Sequence, residues 1–268
     1  MTHYRHTGTV AEYLSINASL IARKPNNLTH AEAASLPLVS ITCYQGLFNY
    51  AKVQPGQIVL VLGASGGTGT AAVQLAHAAG KPVGCVCFED IFVITCAFLL
   101  SIGAHVIATC GARNAKLVAS LGADEVIDYR TENVWKRLSG RKIDAVLDCV
   151  GGAESWVEAQ KVLPKSGHSV TIVGDKESMY YGVSDLLSKG AHKTFRSIAG
   201  ALRIQPSYHL ILADPNGREL AKIASLVERG QLKPVVEKEY DLADTVEAFE
   251  TLMAGHVTGK LVINMTQK

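Results

Sequence analysis

Five apolar residues in succession, Ile58, Val59, Leu60, Val61 and Leu62, stop at a cluster of glycines, Gly63, Gly66, Gly67 and Gly69. A run this short, without polar alternation, predicts a strand buried on both faces. Past the glycines, Ala72, Val73, Ala76 and Ala79 recur at the i, i+3, i+4 spacing of a helix that buries one stripe. Residues 58–76 therefore read as strand, tight turn and helix. Short apolar stretches at 104–109, 144–150 and 169–173 predict further strands, the last two followed at once by Gly151, Gly152 and Gly174. Helical spacing marks 39–51, 220–229 and 243–254, while 231–242 and 260–264 read as strands. Near the start, 9–16 and 18–23 alternate enough to predict two short strands. Thr29 and Glu32 form a T-x-x-E capping box that opens a helix, Pro37 ends it, and Pro55-Gly56 marks a turn.

The chain has 268 residues, 48% hydrophobic and 19% charged, enough for the core of one large domain or one and a half ordinary ones. A net charge of +2 with no Lys/Arg run argues against nucleic acid and against a membrane surface as partner. Cys43, Cys85, Cys87, Cys96, Cys110 and Cys149 sit mostly in apolar contexts, which predicts reduced, core-packed thiols rather than disulfides. Residues 1–16 show neither a secretory h-region nor a transit-peptide pattern, so the expected location is the cytoplasm. A mitochondrial location is open only to a chain with a further upstream segment.

The glycine turn carries the first chemistry. Between a buried strand and a helix, glycines let the backbone approach a pyrophosphate, and the helix N-terminus offers N–H groups and a favourable dipole to the anion. Ser65, Gly66, Gly67, Thr68 and Gly69 are therefore candidate cofactor-binding residues. The stretch lacks the G-x-S-x-G elbow of a hydrolase nucleophile. Cys85 and Cys87 form C-x-C without a partner pair, so no metal site is expected. The glycines after 144–150 and 169–173 fall past strand ends, where an open parallel sheet binds its ligands.

Five segments in order, GTVAEY, LTHAEAASLPLVSITCYQGL, VQPGQIVLVLGASGGTGTAAVQLA, LGADEVIDY and TGKLVI, carry a family likeness. The chain resembles the zinc-free, quinone-oxidoreductase-like branch of the medium-chain dehydrogenase/reductase superfamily, in its zeta-crystallin and reticulon-4-interacting-protein group. The resemblance implies an α/β fold, a doubly wound parallel sheet (Rossmann) with a remnant of a GroES-like β domain. Residues 1–41 would be that remnant, 42–233 the nucleotide-binding domain, and 234–268 the return to the first domain. It further implies that Thr42 sits by the nicotinamide, that Tyr129 packs near the adenosine phosphate, and that Val150, Gly151, Val173 and Gly174 line the nicotinamide half. Lys260 would reach the cofactor. Zinc-dependent relatives carry a cysteine where this chain has Leu38.

Two departures stand beside the likeness. Family members have most of the GroES-like domain ahead of the GTVAEY segment, and here that segment comes almost first, so substrate-side residues from that portion are absent. Residues 81–103 are the second departure: deleting them joins HAAG to AHVIATCGARNAKLVASLGADEVIDYR without a seam. Rich in apolar residues from 91 to 102 and too short for a membrane span of about 20 residues, the segment reads as an insert, and the codons available to Gly80-Lys81 allow a retained intron. It leaves two choices of second strand. If 82–87 is that strand, Glu89 stands where an acid binds a ribose 2′-hydroxyl and the cofactor is NAD. If 104–109 is that strand, no acid ends it, Arg113 and Lys116 follow, and the cofactor is NADPH. Continuation into 121–129 favours the second.

The expected activity is NADPH-dependent, metal-free hydride transfer to a small electrophile, a quinone or α,β-unsaturated carbonyl, since the cofactor carries the difficult chemistry. No catalytic residue is named by the sequence. The rival expectation is a non-catalytic NADPH-binding or interaction protein. A homodimer through an edge strand of the nucleotide domain follows from the resemblance.

Overall fold

The computed structural model describes residues 13–79, 103–174 and 202–265. β1 (Ile58–Leu62) lies inside a six-stranded sheet with β2 (His105–Cys110), β3 (Glu125–Asp128), β4 (Ala145–Asp148), β5 (His168–Thr171) and β6 (Ser207–Leu210). The order is β3-β2-β1-β4-β5-β6, and every pairing is parallel. Alternation along β1 divides the core between the two faces of the sheet. Val59 and Val61 join Val106, Ala108 and Leu147 against the side of α2 (Pro37–Tyr44) and α3 (Gly67–His77). Leu60 and Leu62 join Ile107 and Val146 against the side of α5 (Val134–Arg137) and α6 (Ala153–Val162), with α4 (Ala115–Ser120) lying between β2 and β3 in the chain. The fold is the doubly wound one, with helices on both faces.

Both edges of β1 are taken, by β2 through Ile58↔His105 and by β4 through Val59↔Ala145. The second strand is therefore the one near 104–109. The reading that put 82–87 beside β1 and Glu89 at its end fails, because β1 has no free edge for it. Residues 81–102 themselves lie outside the described residues, and with them the insert and its apolar run. Gly103, the last residue of that segment, accepts a backbone bond from Gly56 at 3.2 Å.

The capping box forms as expected. Thr29 Oγ1 accepts from Glu32 N at 3.1 Å, and Glu32 Oε2 accepts from Thr29 N at 2.8 Å, opening α1 (His30–Ser35). Pro37 then stands first in α2, where its missing N–H costs nothing. The helix continues as a π turn, Gln45–Tyr50. One strand is corrected: 18–23 is not extended throughout, because the Asn17 side chain accepts from Ser19 N and winds Ala18–Leu20 into a 3-10 turn. Residues 13–16 are irregular, and 9–12 lie outside the described residues.

After α7 (Gly217–Glu228), β7 (Val236–Asp241) and β8 (Lys260–Asn264) pair in parallel as a separate two-stranded sheet, with α8 (Thr245–Met253) between them in the chain. α1 packs on this sheet. The strap from Gly255 to Gly259 runs back across the mouth of the six-stranded sheet. Among the described residues no helix is long and apolar enough to cross a membrane.

Candidate functional site

The site begins with what a side chain would do at each glycine of the turn. A Cβ on Gly69 would overlap the carbonyl oxygen of Gly63 and stand 2.6 Å from Ala64 Cα, so this glycine lets α3 seat against the end of β1. Gly63 turns the chain at φ +72°, where a Cβ would come 2.9 Å from Val150. Gly66 differs: a Cβ there would meet nothing closer than Gly63 O at 3.6 Å. It is the N-cap of α3 and supplies no side-chain cap to the first-turn N–H groups of the helix. A tightly packed Gly69 beside an uncrowded Gly66 at an uncapped helix start fits the pyrophosphate of a dinucleotide.

Neighbouring strands end at the same edge. Thr109 anchors the turn, its Oγ1 accepting from Gly63 N at 3.1 Å and its carbonyl from Ala64 N at 2.8 Å. Past β4, Asp148 Oδ1 accepts from Val150 N and Gly151 N, both at 2.9 Å. Gly151 has φ +76°, and a Cβ on it would come 2.7 Å from Gly174 O and Val173 Cβ, so the loops after β4 and β5 interlock. Val150 and Val173 are each 44% exposed, an apolar rim past the strand ends.

Two adjoining cavities open here. The larger, about 700 Å³, runs over Gly63, Ser65, Gly66, Thr109 and Cys110 to Val150, Gly151 and Trp135, with Glu154 at its border. The smaller, about 230 Å³, is lined by Ser65, Gly111, Arg113, Asn114, Tyr129, Arg130, Gly255, His256 and Val257. Ser65, Tyr129, Gly255 and Val257 border both. The smaller cavity has two guanidiniums and no carboxylate in its lining. Arg113 Nη2 donates to His256 O at 2.5 Å, and the Arg130 guanidinium lies 5.8 Å from the centre of the Tyr129 ring.

Of the residues expected from sequence, Ser65, Gly66, Arg113, Tyr129, Val150 and Gly151 border these cavities. Val173 and Gly174 adjoin Gly151. The Lys260 side chain lies over Gly67, where a Cβ would overlap it, and Gly259 N donates to Ser65 O at 2.8 Å, so the strap is pinned to the glycine turn. Thr68 is the second residue of α3, and its carbonyl accepts from Cys43 Sγ at 3.1 Å. Gly69 serves packing. Thr42 is buried in α2 with its hydroxyl on Leu38 O at 2.7 Å, and Lys116 is exposed on α4 and borders neither cavity. Sequence reasoning missed Arg130, Asn114, Trp135 and the strap residues Gly255 to Val257. Arg130 carries one legible signal: it follows Tyr129 directly at the end of β3.

The thiols near the site are held as protonated, poor nucleophiles. Burial, then Asp148, pushes Cys149 up to about 12, burial raises Cys43 well above its usual value, and burial followed by Asp128 raises Cys110. No group of three or more His, Cys, Asp or Glu side chains positioned for a metal ion occurs among the described residues.

A protein-family model described as zinc-binding dehydrogenase matches residues 121–263, more than half of the chain. The chain belongs to this family of the medium-chain dehydrogenase/reductase superfamily. It is 34% identical to the mitochondrial NAD(P)H oxidoreductase RTN4IP1 of Bos taurus over 96% of its own length and 61% of that protein's. With the 2-methylene-furan-3-one reductase of Solanum lycopersicum it shares 32% identity over 96% of its length and 53% of that protein's. The quinone oxidoreductase of Coxiella burnetii superposes with a TM-score of 0.65 at 26% identity, covering 90% of this chain and 62% of that one. The chain thus spans about three fifths or less of the length of these family members.

Proposed function

We propose that this chain binds NADPH along the carboxyl edge of the six-stranded sheet and reduces a quinone or an α,β-unsaturated carbonyl without a metal. The observation that carries the reading is the pairing of an α3 N-terminus that has no side-chain cap with an acid-free β2 end. β2 finishes at Cys110, and the cavity beyond it presents Arg113 and Arg130 with no carboxylate in its lining. A ribose 2′-phosphate needs cations there, whereas a ribose 2′-hydroxyl is met by an acid. The cation pair read from sequence, Arg113 with Lys116, becomes Arg113 with Arg130. Bound NADPH supplies the hydride.

The chain's own groups bind and orient. Gly67 and Thr68 receive the pyrophosphate on backbone N–H groups, with Ser65 at its side and the side-chain-free Gly66, whose own N–H donates to Gly63 O at 3.2 Å, leaving it room, and Tyr129 flanks the adenosine. Val150, Gly151, Val173 and Gly174 form the apolar wall that keeps water from the nicotinamide, with Thr42 beneath and Lys260 over the turn. Leu38 stands where zinc-dependent relatives carry a cysteine, which supports metal-free chemistry. A cytoplasmic location and a homodimer through an edge strand of the sheet, β3 or β6, complete the proposal.

Oxidation of NADPH by the purified chain on addition of a quinone or an enone tests this reading. We expect turnover that survives exhaustive chelation and is far slower with NADH. Binding without turnover would establish the rival role of a non-catalytic nucleotide-binding module. Loss of turnover on chelation would overturn the metal-free assignment.

A further inference from the structure

We infer that Thr258, which borders neither cavity, is a specificity-determining positioning residue for the ribose 2′-phosphate. This rests on the NADPH reading above. Thr258 Oγ1 accepts from Arg113 Nη2 at 3.4 Å and stands 3.2 Å from Asn114 Oδ1, to which it donates. One hydroxyl therefore ties together two side chains that line the small, carboxylate-free cavity. The same Arg113 nitrogen is held by the carbonyl of His256 at 2.5 Å. A guanidinium has five N–H donors, so those not engaged with the strap remain for an anion.

The strap is itself held from behind. Thr258 N donates to Glu237 Oε2 at 2.7 Å, Lys260 N to Val235 O at 2.9 Å, and Gly259 N to Ser65 O at 2.8 Å. Positive φ at Gly255 (+76°) and Gly259 (+69°) lets the chain make both bends. Thr258 is thus fixed by the β7–β8 sheet while its hydroxyl reaches toward the loop after β2. An exposed arginine on a surface loop is a mobile charge. Bound through two acceptors, it is set in one orientation before the ligand arrives, so less is lost on binding. The effect is confined to ligands that carry the 2′-phosphate, because the pyrophosphate is met by α3 on the other side of Ser65.

The test is a calorimetric titration of the full chain with 2′,5′-ADP and with 5′-ADP, for wild type, Thr258→Val and Thr258→Ser. Valine keeps the branched shape and removes the hydroxyl; serine restores it. Expected are a loss of about fivefold in 2′,5′-ADP affinity for T258V, 5′-ADP binding within twofold of wild type, and T258S close to wild type for both. Thr258→Ala carries the same expectation should T258V fail to fold. Equal weakening of both ligands, or unchanged discrimination, overturns the assignment of Thr258 while leaving NADPH binding in place. A wild-type chain that does not distinguish the two ligands overturns both.

Discussion

The two ends of the six-stranded sheet are built to opposite rules. At the amino edge the polar groups answer one another. His105, first in β2, meets Glu125 at 3.0 Å, and Arg141 clamps the same carboxylate with two bonds of 2.7 Å. Asp144 Oδ2 accepts from Ile58 N at 2.9 Å, and His168 stacks on His209 with ring nitrogens 3.4 Å apart. At the carboxyl edge the strands run into glycines, the valines that follow are exposed, and α3 starts without a side-chain cap. One edge is closed by its own side chains; at the other, where Thr109 and Asp148 hold only the turns, the proposed ligand would do the closing. Stability and binding therefore separate along the strand axis, and substitutions at the two edges should differ in kind.

The sharpest break is inside the glycine turn. Gly69→Ala, whose Cβ would collide with backbone at Gly63 and Ala64, should destabilise the fold by about 3 kcal/mol or more. Gly66→Ala, with 3.6 Å of room, should leave the melting temperature nearly unchanged and still weaken dinucleotide binding, because its methyl group occupies the ligand's side of the turn. Thermal melts of the two variants, read beside titrations with NADPH, check both halves. Arg130→Met comes next. It should weaken NADPH by about tenfold, leave NADH unchanged, and alter stability little, since the guanidinium is exposed on the open edge.

The amino edge should respond to pH instead. Burial, then His168 and Lys52, lowers His209 to about 4, and burial also lowers His168. The unfolded chain binds protons at these sites below about 6.5, so their contribution is whole above that pH and is lost as pH falls toward 4. His209→Asn should flatten melting temperature against pH in that window. A smaller effect belongs to Glu125, held near 2 chiefly by its bonds to Arg141 and then His105. Its contribution is present above about 4.5 and lost as pH falls toward 2, a separate acid limb that Glu125→Gln should remove.

The same division explains what could be read in advance. β1, the glycine turn and α3 are specified locally: an apolar run, glycines where backbone must approach backbone, and helical spacing after them. The Thr29 capping box is equally local. At 18–23 local reading failed, since alternation in so short a stretch does not exclude the Asn17-capped turn that forms. The second strand had two candidates in the sequence; continuation into 121–129 favoured 104–109, and the register with β1 bears that out. The carboxyl edge was legible where one segment supplies it, as at 63–69, and illegible where distant segments meet. Arg113 reaches His256 across 143 positions, and no spacing rule covers such a contact. Arg130 joins the cavity because β3 pairs with β2 and brings its end alongside Gly111.

Titrating the wild-type chain with NADPH and with NADH, followed by fluorescence, bears most directly on the claim that the open edge is a 2′-phosphate-reading dinucleotide site. The account predicts saturable binding of NADPH at least about tenfold tighter than of NADH. Equal affinity for the two, or binding of neither, would contradict it.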